Sequence, residues 1–166
     1  LFERYMKTYK KQKDLPQVYL RVAAIHEENA TKKKVIEYYG DFESKYGRTA
    51  TVEQKIFAKF KQARTQESIN YLSPSRNICK GILGTYTKLA DEEKKIAGIQ
   101  EAAGYCAFRV LETEWTKYEE LEVRGKDIKQ VKTALDNKRQ ALKDIGKKYI
   151  DILNYGNGEW GIAGLY

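Results

Sequence analysis

Apolar residues recur along this chain at three- and four-residue steps, broken by short polar stretches every 15 to 30 residues, and this pattern predicts a succession of helices. Asp14-Leu15-Pro16 reads as a helix start, with Asp14 as N-cap and Pro16 in the first turn, where its missing N–H costs nothing. Tyr19, Val22, Ala23 and His26 then line one face. Asn29, in "ENATKK", is expected to stop that helix in a left-handed or capping conformation. A second helix presents Val35, Tyr39, Phe42 and Tyr46 on one face up to Gly47, so residues 15 to 47 read as a helical hairpin.

A third helix is expected from Thr49 or Thr51, with Thr51 and Gln54 at capping-box spacing and Ile56, Phe57 and Phe60 as its apolar face. Ser73-Pro74 is expected to cap a fourth, bearing Ile78, Cys79, Ile82, Leu83 and Tyr86. A long fifth helix, Glu92 to Leu121, carries Ile96, Ile99, Ala103, Cys106, Val110 and Trp115, with Gly98 and Gly104 as thin places. The sixth, Ile128 to about Tyr155, carries Val131, Leu135, Leu142, Ile145, Tyr149, Ile152 and Leu153; "YGNGEW" turns, and Glu159 opens a seventh.

One aromatic spacing occurs twice, at Phe2, Tyr5 and Tyr9 and again at Tyr39, Phe42 and Tyr46, and Cys79, Ile82 and Tyr86 repeat its steps. Ile56 and Phe60 lie 34 residues beyond Val22 and His26, the period of two short helices with their turns. The fold class expected is all-α: a right-handed α-solenoid of stacked antiparallel helix pairs, with longer helices in the C-terminal half. The units are 1–14 as the end of a preceding repeat, 15–48, 49–90, 91–156 as a long pair, and 157–166 as the start of another helix. A beginning at Leu1 and an ending that reads as a helix opening make the chain an expected segment of a longer repeat protein.

Composition agrees with helices: 33% of the 166 residues are charged and only two are proline. No apolar run approaches the roughly 20 residues of a membrane span. The net charge of +8 raises nucleic acid as a partner, but the basic residues are mixed with acidic ones, as in "DEEKK" at Asp91 to Lys95, which suits solvated helix faces. Rings between lysines could stack bases; rings at helical spacing between Leu and Ile belong in a helix seam. Burial of Tyr39 and Phe42 separates the two readings.

Chemistry-bearing groups are sparse. His26 is the single histidine and lacks a spaced carboxylate pair or nucleophile, and Cys79 and Cys106 lack metal-ligand spacing. The glycines at 81, 84 and 156 follow no strand, so no phosphate loop is expected. Catalytic, cofactor and metal sites are therefore expected to be none. In an antiparallel hairpin turning near Asp91, Cys79 and Cys106 stand at similar heights; two reduced core thiols are expected, with a bridge open in an oxidising compartment.

Residues 16–49 resemble a degenerate tetratricopeptide (TPR) repeat. Tyr19 falls at its large aromatic position, Val22 at a leucine, Ala23 at the small residue where the helices meet, Val35 at the small residue of the second helix and Tyr39 at its aromatic. His26, Val35, Phe42 and Gly47 depart from the pattern. Residues 92–166, with "EAAGYCAFRVLETEWTKYEEL" and "KKYIDILNYGNGEWGIAGLY", resemble large TPR-containing envelope proteins of predatory and gliding Gram-negative bacteria. That resemblance implies a non-enzymatic scaffold, periplasmic or outer-membrane-associated, while the residues themselves leave a cytoplasmic setting open. A concave surface from the first helices would receive a protein partner through Gln17, Arg21, Lys55 and Lys59, with Tyr19, Val22, Ala23, Val35, Tyr39, Phe42 and Tyr46 as structural positions. The alternative is a basic helical nucleic-acid-binding array.

Overall fold

In the computed structural model, which describes residues 2–163, ten α-helices and one 3₁₀ turn follow one another, with no strand among the described residues. They are α1 (Phe2–Thr8), α2 (Leu15–Asn29), α3 (Lys32–Gly40), α4 (Phe42–Tyr46), α5 (Val52–Glu67), α6 (Leu72–Tyr86), α7 (Asp91–Lys94), α8 (Ala97–Glu119) and α9 (Ile128–Asp151). The 3₁₀ turn Ile152–Tyr155 and α10 (Gly158–Ala163) complete the order. The fold is all-α, as the periodicity predicts. Successive principal helices pack on one another: α2 on α3, α3 on α5, α5 on α6, α6 on α8 and α8 on α9, with α5 also against α8.

The caps explain several boundaries. Thr51 and Gln54 form the anticipated reciprocal box at the start of α5, the Gln54 N–H donating to Thr51 Oγ1 at 3.2 Å and the Thr51 N–H to Gln54 Oε1 at 3.0 Å. Other expectations fail. Asp14 does not cap α2; its carboxylate accepts from the Tyr5 hydroxyl at 3.1 Å, which ties α1 down. Asn29 remains helical and donates its side-chain amide back to the Ile25 carbonyl at 2.9 Å, leaving the left-handed conformation to Asn70 (φ 64°) between α5 and α6. With the reversal made there, α6 begins at Leu72 and Ser73 lies inside it instead of capping it.

Two expected long helices are divided. The second breaks into α3 and α4 at Gly40-Asp41, and a Cβ on Gly40 would stand 2.6 Å from Gln62 Nε2. Glycine leaves the Gln62 amide room to lie against α3 there, and it weakens the helix at that point. The fifth splits into α7 and α8 because Ile96 is extended (ψ 122°), turning its chain direction before Ile99 enters the core.

The buried residues form two clusters. Tyr19, Ala23, Val35, Tyr39, Phe42, Ala50 and Ala58 make the first; Ile56, Phe60, Ala63, Cys79, Ile82, Ile99, Ala102, Tyr105 and Cys106 make the second. Helix α5 supplies both, with Ala58 on one side and Ile56, Phe60 and Ala63 on the other. Tyr39 is 2% exposed and Phe42 0%, so these rings are seam residues rather than stacking platforms. Val22 is also buried, Tyr46 is half-buried, and Phe57, expected on the core face of α5, is exposed.

Burying a tyrosine leaves a hydroxyl to satisfy. The Tyr39 hydroxyl donates to Glu27 of α2, and Glu27 in turn takes Lys61 of α5 at 3.1 Å. Tyr105 donates to Glu67 of α5, which takes Arg109 of α8 at 2.5 Å. Tyr19 stacks on Tyr38 with ring centres 4.3 Å apart and donates to the Tyr38 carbonyl at 2.9 Å.

Burial, reinforced by the adjacent glutamates, pushes the Tyr39 and Tyr105 hydroxyls well above the ordinary tyrosine range. Both folded-state values are raised, so the stability these groups contribute is complete below the unfolded value of about 10 and falls as pH rises beyond it. Between pH 10 and 11 each should cost roughly 1 kcal/mol, which urea titrations at stepped pH will read. Phe42→Ala should destabilise by about 3–5 kcal/mol, and Tyr39→Phe by about 1 kcal/mol, both from chemical denaturation.

Candidate protein-docking surface

Helix α9 places Ile128, Val131, Leu135, Lys138, Leu142, Ile145 and Tyr149 on one side at alternating three- and four-residue steps, a heptad-like row interrupted only by Lys138, and Ile152 of the following 3₁₀ turn continues the spacing. The sequence pattern places Val131, Leu135, Leu142, Ile145, Tyr149 and Ile152 among the apolar residues of this helix. The C-terminal end of the row packs: Ile145 and Ile152 are buried, and Tyr149 meets Phe108 of α8 with ring centres 5.9 Å apart. The rest is open to differing degrees: Ile128 is 89% exposed, while Val131, Leu135 and Leu142 keep 38%, 37% and 45% of their surface exposed.

The cause is a mismatch in length. Helix α8 ends at Glu119, and Lys138 reaches the Leu121 carbonyl at 2.6 Å while lying 5.1 Å from the centre of the Tyr118 ring. Residues 128 to 138 therefore run about 15 Å past the end of α8, flanked by the 120–127 connection. That connection folds back closely: a Cβ on Gly125 would lie 2.6 Å from Gln130 Cβ and 2.8 Å from the Val131 nitrogen. Asp127 caps α9 by accepting from the Gln130 N–H at 2.8 Å, and the Lys126 N–H donates to Gln130 Oε1 at 2.9 Å.

Between the two helices runs a groove of about 350 Å³ lined by Tyr118, Leu121, Ala141 and Ile145, with Glu114, Lys117 and Asp144 at its edge. Trp115, Leu121 and Val123 extend the exposed apolar surface across it. The rim is charged unequally. Helix α9 carries seven lysines and arginines against three aspartates, whereas residues 112 to 122 carry five glutamates against one lysine. Lys148 and Glu114 join the two at 2.5 Å near the base of the arm, and Lys129, Lys132, Arg139 and Lys143 flank the open part of the row.

The residues expected to meet a partner lie elsewhere. Gln17 and Arg21 are exposed on α2, where Arg21 borders a cleft of about 670 Å³ formed with Phe2, Tyr5, Tyr9 and Val18. Lys55 and Lys59 are half-buried on α5, and Lys59 is held by Glu43 at 2.8 Å. His26 lies beside the Tyr38 ring, centres 4.9 Å apart, with Glu3 3.7 Å from its Nε2. Glu27, Glu67 and Arg109 were not singled out by sequence patterning, because Glu27 and Glu67 serve tyrosines distant in the chain and Arg109 serves the distant Glu67. Among the described residues no cluster of three or more histidines, cysteines or acids is placed to hold a metal, and no helix is long and apolar enough to cross a membrane.

Comparison with protein-family models, with curated proteins and with solved structures finds no match to this chain.

An open row and a buried anchor should respond differently to mutation. Leu135→Gln is expected to leave the unfolding free energy within about 0.5 kcal/mol of the parent, while Ile145→Ala should cost about 2–5 kcal/mol, both measured by urea denaturation.

Proposed function

We propose that this chain is a non-enzymatic protein-interaction scaffold of TPR-like stacked helix pairs, and that the α8–α9 arm is its docking surface. The observation that carries the reading is the aliphatic row Ile128, Val131, Leu135 and Leu142, held open on a capped helix. Large aliphatic side chains at heptad steps gain most when a second helix lies along them, at about 25 cal/mol per Å² of apolar surface covered. The basic flank made by Lys129, Lys132, Arg139 and Lys143 selects the partner's chemistry: an amphipathic helix with acidic residues beside its apolar stripe.

The packing of α2, α3, α5, α6, α8 and α9 each on the next, with α5 also on α8, supports the stacked-pair architecture. A setting in a bacterial cell envelope rests on the resemblance of residues 92–166 alone. The first-helix surface of Gln17, Arg21, Lys55 and Lys59 has no comparable apolar row, and Lys59 is already paired.

The test uses two fluorescent helical peptides with the same leucine stripe, one flanked by glutamates and one by lysines, titrated onto the full chain by anisotropy. Saturable binding of the acidic peptide alone, lost in Leu135→Glu/Leu142→Glu but kept in Gln17→Ala/Arg21→Ala/Lys55→Ala, is the expected result. Equal binding of both peptides, or of neither, overturns the arm as the docking surface. Loss in the alanine variant instead returns the role to the first helices. A single-stranded oligonucleotide bound more tightly than the acidic peptide, with steep salt dependence, replaces the reading with nucleic-acid binding.

A further inference from the structure

Cys79 of α6 and Cys106 of α8 are both fully buried, and their sulfur atoms lie 2.7 Å apart. Non-bonded atoms rest farther away than that; even carbon pairs settle at about 3.5–4.0 Å. Both residues carry free thiols in the structure. The pair sits where α6 meets α8, among Ile82, Ile99 and Ala102, all with no exposed surface. The two cysteines are 27 positions apart in the chain, and the connection between them contains the whole of α7.

We propose that Cys79 and Cys106 are a disulfide-forming pair, a modification site that locks α6 to α8 across the second core cluster. The oxidant is a small-molecule or protein disulfide, such as glutathione disulfide or a dithiol–disulfide oxidoreductase. One cysteine thiolate attacks a sulfur of that disulfide, forming a mixed disulfide and expelling one thiolate. The second cysteine attacks the protein-side sulfur, forming the Cys79–Cys106 bond and expelling the other. Two protein S–H bonds are lost, two appear on the oxidant after protonation, and the two electrons pass from the protein sulfurs to the oxidant's disulfide.

The exchange belongs to folding rather than to the finished fold. Thiolates are the reacting species, and burial together with the neighbouring Cys79 pushes the Cys106 thiol up, so the closed core disfavours attack. Before α8 closes on α6 both sulfurs are accessible; afterwards the same burial shields the bond from reductants.

The full chain, unfolded with reductant, is refolded in a mixed glutathione buffer, alkylated with iodoacetamide under denaturing conditions and weighed intact. A monomer lighter by two hydrogens than the reduced chain, without alkyl groups and yielding a linked Cys79–Cys106 peptide, is expected. Two alkyl groups on a refolded monomer, a persistent glutathione adduct or a cross-linked dimer overturns the proposal. In parallel, the oxidised form should melt about 10 °C above the same chain kept reduced, and that gap should vanish in Cys106→Ala. An oxidised monomer that melts no higher than the reduced one would refute the lock.

Discussion

A tyrosine placed in a helix seam fills space with its ring and leaves a hydroxyl that cannot go unpaired, and much of this structure follows from meeting that demand. It is met twice with the same parts. Tyr39 donates to Glu27, which Lys61 neutralises, and Tyr105 donates to Glu67, which Arg109 neutralises. An unsatisfied buried hydroxyl would cost about 1–3 kcal/mol, and a glutamate drawn partly out of water would cost more without its cation. Each triad therefore works only as a unit, and each spans elements far apart in sequence. The first joins α2, α3 and α5; the second joins α5 and α8. Helix α5 supplies one member to each triad and side chains to both apolar clusters, so it couples the two halves of the core.

The helices themselves were legible because their apolar steps are regular over several turns. Tyr39 and Phe42 were identifiable as seam residues by the same logic, and Thr51 with Gln54 as a cap because that box is a local device needing only four residues. What escaped the sequence depends on neighbours. The second helix divides at Gly40, a weak helix former against which the Gln62 amide of another helix lies. Asp14 leaves its capping role because Tyr5 competes for the carboxylate. Asn29 and Asn70 are equally suited to a left-handed turn by residue type, and the place where α5 must reverse decides between them.

The row on α9 was also legible as a row, though not as an open one. Periodicity shows which residues share a face; it carries no information on whether a partner helix is long enough to cover them. Helix α8 stops at Glu119, and the following residues to Asp127 are needed to reach back to the start of α9, so α9 outruns its neighbour. The stretch that would otherwise be marginal is secured locally, by Asp127 at its cap and by the close return of Gly125. An exposed aliphatic face on a well-capped helix differs from a frayed end, because its shape is fixed before anything binds and little ordering entropy remains to be lost.

The +8 charge takes on a different meaning once the rings are placed. Binding single strands requires aromatic faces open beside cations, and several ring–cation pairs among the described residues are built on rings the core has already used: Lys45 over Tyr19, Arg64 over Phe60, Arg109 over Tyr105. Those cations cover the edges of seams. Beside the open row, Lys129, Lys132, Arg139 and Lys143 stand next to Ile128, Val131, Leu135 and Leu142, which offer bases no face to stack on, and the rings nearby are Trp115 and Tyr118, the latter already taken by Lys138. Aliphatic width with a positive margin complements a helix that is apolar along one stripe and acidic beside it, which is why the proposed partner is a protein segment rather than a nucleic acid.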